Sequence, residues 1–251
     1  MTKKALMDAL VGAAGAGLEE VSVTDVQTPY LRIAQALSPQ LKKSGSDFIE
    51  GLDQGDIFNT VTKQFWKSDE GVTVLPVYFQ LKYNEWIPRN DGGGFVREHP
   101  HDSAEVLELE QRRDKRDTTM QSGNDLVKTA THLVKIMHEN GALETVILDM
   151  KGSNLKRSRG WNSLMSMQRH DGVLLPSYAK TYTVKTSEVT GDQNSWFEYN
   201  LTLKGDIESL EQFNDADELR KEMVAGSVQL APPTTDKALP GPAAVAEDVP
   251  F

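Results

Sequence analysis

The sequence predicts a mainly β protein with minor α content, a small barrel carrying insertions. Three observations predict it. Residues 71–87 alternate with period two, with Leu75, Val77, Phe79, Leu81 and Tyr83 on one parity, the pattern of a half-buried strand. Asn140-Gly141 lies between two further β-rich runs, 132–138 and 144–150, and an Asn-Gly pair accepts the positive φ values of a tight hairpin. A third pair of runs, 179–187 and 195–204, flanks Thr190-Gly191-Asp192-Gln193, with Phe197, Tyr199, Leu201 and Leu203 in step. Five or more strands with turn signals, one internal helix and one terminal helix suit a barrel.

In chain order, residues 1–24 read as a flexible arm. Their helical pattern from Ala5 to Leu18 is interrupted by Gly12, Gly15 and Gly17, and each glycine weakens a helix by about 1 kcal/mol relative to alanine. From Val26 to Leu41, Pro29 and the apolar set Tyr30, Ile33 and Leu37 leave helix and strand both open. Ile57 to Thr62 is a short β-rich run, and Asp91-Gly92-Gly93-Gly94 ends the strand of 71–87. Ser103 to Arg116 is charged with few apolar residues and is expected to be an exposed insertion, within about 97–122. Asn154 to Met167 reads as a helix, and the acidic helix Ile207 to Val224 closes a domain of residues 25–225. Pro232, Pro233, Pro240, Pro242 and Pro250 mark 226–251 as a disordered linker and tail.

Composition narrows the function. With 38% hydrophobic and 25% charged residues, the chain is expected to be soluble, and no apolar run approaches the roughly 20 residues of a membrane span. The absence of cysteine excludes disulfides, thiolate metal sites and a thiol nucleophile, and fits a reducing, cytoplasmic setting. The net charge of −10 argues against a nucleic-acid partner until its distribution is read. Residues 206–251 carry ten acids against three bases, whereas 151–185 carry seven bases against one acid. Charge is segregated along the chain.

Single-strand binding needs flat rings for unpaired bases and cations for phosphates, and two strands supply both. Tyr78, Gln80, Lys82, Asn84 and Trp86 share one face; Tyr178, Lys180 and Tyr182 share another. The competing reading for each ring is packing under a helix or the insertion. Lys156, Arg157 and Arg159 form the densest basic cluster, followed by Trp161, which either stacks on a base or joins Leu164 and Met165 in the core. Catalytic signatures are weak. His99-Pro100-His101-Asp102 lacks a second ligand cluster, and Gly92-Gly93-Gly94 lacks the lysine and hydroxyl of a phosphate loop. Neither an enzyme, a metal nor a cofactor is expected.

The tail ends in Glu247-Asp248-Val249-Pro250-Phe251, which offers a partner an aromatic ring for an apolar pocket and an α-carboxylate for a cation. This tip resembles the acidic Asp-Ile-Pro-Phe-type tip of bacterial single-stranded DNA-binding proteins. The body, through Gly55-Asp56-Ile57-Phe58-Asn59-Thr60 and Trp161-Asn162-Ser163-Leu164, is similar to bacteriophage proteins identified as members of that group. The resemblance implies an oligonucleotide-binding (OB) barrel of five strands, no catalysis, and a tail that recruits replication or recombination proteins in the host cytoplasm. The expected function is therefore single-stranded DNA binding with little sequence preference, through Tyr78, Lys82, Trp86, Lys156, Arg157, Arg159, Trp161, Tyr178, Lys180 and Tyr182. A homo-oligomer is compatible with this reading and a membrane partner is not. The rivals are a phage structural or assembly protein with a docking tail, and a nuclease accessory.

Overall fold

One long strand organises the chain. In the computed structural model, which describes residues 3–13, 16–20, 27–114, 117–191, 194–228 and 230, β4 (Val72–Ile87) lies at the centre of a six-stranded antiparallel sheet. Before it come the helix α1 (Lys3–Gly12) and the short strands β1 (Leu31–Ile33), β2 (Ile57–Asn59) and β3 (Phe65–Trp66). After it come β5 (Gly94–His99), α2 (Ala104–Gln111), β6 (Asp125–Met137), β7 (Leu143–Lys151) and α3 (Asn154–Ser166). The chain then runs through a two-strand finger, β8 (Arg169–His170) and β9 (Val173–Leu174), into β10 (Lys180–Thr190), β11 (Ser195–Asp206) and α4 (Leu210–Ala225). The large sheet runs β11-β10-β4-β6-β7, with β5 also on β4.

Both hairpins form as the sequence predicts. The β6–β7 pair turns at Gly141 with φ +82°, and β10–β11 pair from Lys180 with Asp206 to Thr190 with Ser195. At the start of β4, Gly71 has φ +72°, and a Cβ there would lie 2.4 Å from the Val184 carbonyl of β10. Only glycine lets the two strands approach.

The backbone ladder does not close into a barrel among the described residues. Between the edges of β7 and β11 stands the separate sheet β1-β2-β3. On one side Ile147 N–H donates to Pro29 O at 2.9 Å. On the other, Gln35 exchanges two side-chain bonds with the Phe197 backbone, and Tyr199 Oη donates to Leu31 O at 3.0 Å. The wall is completed on that side by side chains, which fixes β1 as extended chain where the sequence left helix and strand open.

The interior is apolar: Val74, Val134, Ile136, Leu148, Met150 and Val184 fill it, and Trp161 of α3 plugs one end. Trp161 lies tilted on His132, with ring centroids 4.6 Å apart, and edge-on to Tyr182 at 5.5 Å. Burial holds His132 neutral, its pKa lowered to about 3, and the ring hydrogen-bonds Ser158 of α3 at 2.8 Å.

Three expectations need correction. The alternation of β4 does not run unbroken, because a bulge at Val77 lets Pro76 oppose Val134 and Tyr78 oppose the next residue, Leu133. Leu75 and Val77 therefore pack with Tyr178 and Ala216 under α4, while Val72 and Val74 face the interior. The charged insertion is not simply exposed: α2, capped by Ser103 Oγ accepting from Val106 N–H, buries Val106 and Leu109 against Tyr83 and Leu126. Two apolar residues at helical spacing suffice to seat it. Finally, the chain does not leave the domain at Gly226. Gly226 ends α4 in the left-handed conformation, Ser227 N–H returns to Glu222 O at 3.0 Å, and Val228 and Leu230 pack beside Tyr30, Leu133, Ile147 and Met223. The tip, Glu247 to Phe251, lies outside the described residues, as do the rest of 231–251 and residues 1–2, 14–15 and 21–24 of the expected arm.

No described helix is long and apolar enough to cross a membrane.

Candidate nucleic-acid interface

Below the bulge, β4 recovers strict alternation, and the predicted face Tyr78, Gln80, Lys82, Asn84, Trp86 lies on the side of the sheet away from the interior. Antiparallel register builds three rows across it. Tyr78 stands beside Leu133 and Ile147; Gln80 beside Thr131 and Asp149; Lys82 beside Thr129 and Lys151. The first row is covered by Met223 of α4 and by Val228 and Leu230. The second and third carry polar and cationic groups.

In the second row Thr131 Oγ1 donates to Asp149 Oδ1 at 2.7 Å. Burial raises the pKa of Asp149, opposed by Thr131 and by the positive charges of Lys151, Arg32 and Lys82 around it. In the third row Lys82 pairs with Glu98 of β5 at 2.8 Å. The Lys151 ammonium lies 5.2 Å from the centroid of the half-buried Trp86 ring, whose other neighbour is Phe95, edge-on at 5.5 Å. Arg32 of β1 lies over Tyr30 at 5.2 Å. Cations and an indole thus share one face, an arrangement able to hold a base against a ring and a phosphate against an ammonium.

The other predicted residues fall in different places. Lys156 and Arg159 are exposed on α3, but the helix contributes Trp161 to the interior, so its bases do not share the face of Lys82 and Trp86. Arg157 is occupied: its Nε donates to Glu198 Oε2 at 3.0 Å. Burial pushes the Glu198 carboxyl up, yet bonds from Ser153, Trp196 and Arg157 outweigh this and hold it low. Lys180 is ion-paired with Asp206.

Three rings named as stacking candidates are sealed in the protein. Trp161 is 1% exposed and Tyr182 0%, both in the interior. Tyr178 packs on Phe213 and donates to Asp217 at 2.6 Å, and burial pushes its pKa up to about 12. None of the three presents a ring to a base in this structure. The α3 and α4 packing that buries them is not visible in a local pattern.

Sequence reasoning missed Lys151 and Arg32 as members of the face. Lys151 was within reach: counting outward along both strands from the Asn140-Gly141 turn places it opposite Thr129, and so in the row of Lys82. Arg32 had no signal, because its segment was ambiguous. Among the described residues no cluster of three histidines or carboxylates could hold a metal.

Residues 2–229 match the model of a family described as Pam3 phage gp34-like protein. The chain belongs to the Pam3 phage gp34-like family. The family match ends where the proline-rich tail begins, so the arm, the sheet, its insertions and α4 are all within it. No curated protein and no solved structure matches the chain.

Proposed function

We propose that this member of the Pam3 phage gp34-like family binds single-stranded DNA across the outer face of β4, β6 and β7, with little sequence preference. The observation that carries the reading is the Lys151 ammonium beside the Trp86 ring, in line with Lys82. Strand order adds support. Taking β4 as the first strand, the paired order is 5-4-1-2-3, with α3 between the third and fourth strands and plugging the interior. We read this as an OB barrel whose final seam is filled by β1. In such barrels the face of the second and third strands receives oligonucleotides, and here those strands are β6 and β7.

Stacking supplies about 1 to 3 kcal/mol per base and is indifferent to sequence, while the cations make binding salt-sensitive. Glu247, Asp248, Val249, Pro250 and Phe251 form a docking tip for a replication or recombination protein. Anisotropy titrations of labelled oligo-dT and of duplex at two salt concentrations test the reading. Tighter, salt-sensitive binding to oligo-dT is expected, since a duplex keeps its bases stacked away from Trp86. Equal affinity for both, or no binding, would refute it and favour an assembly role.

A further inference from the structure

β11 forms one edge of the six-stranded sheet, with β10 as its neighbour. Strand geometry fixes which of its backbone groups look outward. On β10, Thr186 N–H turns away from β11 to Ser68 O at 3.3 Å, and Val184 and Tyr182 share that parity, in the stretch that pairs with β4. Opposed residues of an antiparallel pair either exchange both backbone bonds or both turn them away. Tyr199, Leu201 and Leu203, opposite Thr186, Val184 and Tyr182, therefore turn theirs to the edge. Toward the hairpin this edge is covered: Gln35 bonds both backbone groups of Phe197, and Asn154 Oδ1 accepts from Tyr199 N–H at 2.9 Å. Past Tyr199 the cover stops. Among the described residues nothing hydrogen-bonds the outward N–H and C=O of Leu201 and Leu203, and the Leu203 side chain is left 49% exposed. The usual guards of an edge strand are turned aside. Lys204 Nζ reaches back across β10 to Thr73 Oγ1 at 2.8 Å, and the bulge at Lys204 comes only after Leu203.

We propose that two copies of this chain pair through this edge, β11 against β11, in antiparallel register about Thr202. The segment Leu201-Thr202-Leu203 is self-complementary in that arrangement. A two-fold axis at Thr202 sets Leu201 opposite the other copy's Leu203, so the two exchange their outward backbone bonds and the exposed Leu203 side chain gains an apolar neighbour. Thr202 meets its own counterpart, a favourable cross-strand pair, and Asn200 meets Lys204, so no like charges stand opposed. The open stretch is bounded by the Asn154 contact and the bulge, which makes it a short template for a foreign peptide strand, whereas the symmetric pairing uses it twice. An edge paired with itself also closes at two copies, while pairing to a different edge would continue into a fibre. Opposed residues point to the same side of a sheet, so the outer faces of the two copies lie on one side of a continuous sheet. Lys82, Trp86 and Lys151 take no part in the contact, so the inference stands whether or not the outer face binds DNA.

Sedimentation of the full chain across a micromolar concentration range tests this, and the parent should pass from one chain to two as concentration rises. Thr202→Lys and Thr202→Glu each set like charges face to face at the axis, so each alone should stay a single chain throughout. Thr202 is exposed, and neither change touches the core. Mixed in equal amounts, the two variants should recover the dimer, because lysine then faces glutamate, and recovery also shows that both are folded. Cross-linking gives an independent reading. The chain contains no cysteine, so Thr202→Cys carries its only thiol. At this non-hydrogen-bonded pair the Cα atoms would lie about 4.5 Å apart, within disulfide range. A mild oxidant should link Thr202→Cys into a dimer and leave Ser122→Cys, exposed in the turn before β6, as single chains. A parent that sediments as one chain at every concentration would overturn the proposal. So would a dimer that persists in both charged variants, which would place the contact on another surface, or a mixture of the two that stays monomeric, which would deny the two-fold register.

Discussion

Replacing Arg157 separates a structural ion pair from a phosphate contact. Arg157 donates to Glu198 at 3.0 Å, and the Glu198 side chain is 8% exposed while that of Arg157 is 40% exposed. Removing one partner of a fully buried pair costs about 3 to 5 kcal/mol, because the other charge is left without compensation. Here the guanidinium is partly in water and Trp196 Nε1 still donates to Glu198 at 3.1 Å, so Arg157→Ala should cost about 1 to 2 kcal/mol. Urea denaturation at pH 7 reads this as a lower midpoint with an unchanged slope. The sign of the pH dependence follows from the lowered Glu198 carboxyl. A folded-state pKa below the unfolded one stabilises above the unfolded value, and that stability is lost as pH falls through the folded value. The gap between parent and variant should therefore be full at neutral pH and close in the acid range, below the ordinary carboxylate value. Glu198→Gln in the Arg157→Ala background should recover part of the loss. If Arg157→Ala keeps the parent's urea midpoint but weakens oligo-dT binding and flattens its salt dependence, the residue is a phosphate contact and the ion-pair account is wrong.

Trp161→Ala should cost about 3 to 5 kcal/mol of stability, since it empties the plugged end of the interior, and a denaturation midpoint equal to the parent's would contradict its placement there. Glu98→Gln should tighten oligo-dT binding and steepen its salt dependence, because it frees Lys82 from a 2.8 Å pair; unchanged affinity would take Lys82 out of the interface. Lys156→Ala and Arg159→Ala, on the exposed side of α3, should leave stability within about 0.5 kcal/mol of the parent in urea melts. A large loss in either would show that these bases are structural.

The strand pattern was legible wherever local chemistry decided it. Asn140-Gly141 specified its hairpin, and the period-two run of β4 put Tyr78, Lys82 and Trp86 on one face, as the structure does. The bulge at Val77 escaped notice because one inserted residue leaves apolar residues on both parities, so no polar residue marks the slip. The rings could not be sorted for a similar reason. A tyrosine on a strand reads the same whether it meets water or a helix, and Tyr182 and Tyr178 are buried by α3 and α4, elements far from them in sequence. Arg157 looked available because its partner, Glu198, lies on β11, 41 residues away. Lys151 shows the opposite case, a residue that hairpin register alone could have placed.

The central claim is that Trp86 and Lys151 act together on single-stranded DNA, one through its ring and the other through its charge. Titration of oligo-dT at several salt concentrations with the parent, Trp86→Ala and Lys151→Ala tests it most directly. Trp86→Ala should weaken binding by about 1 to 3 kcal/mol with the salt slope little changed. Lys151→Ala should reduce the slope by roughly 0.7, the value for one phosphate contact on a single strand. Two folded variants that bind oligo-dT with the parent's affinity and salt slope would contradict the account.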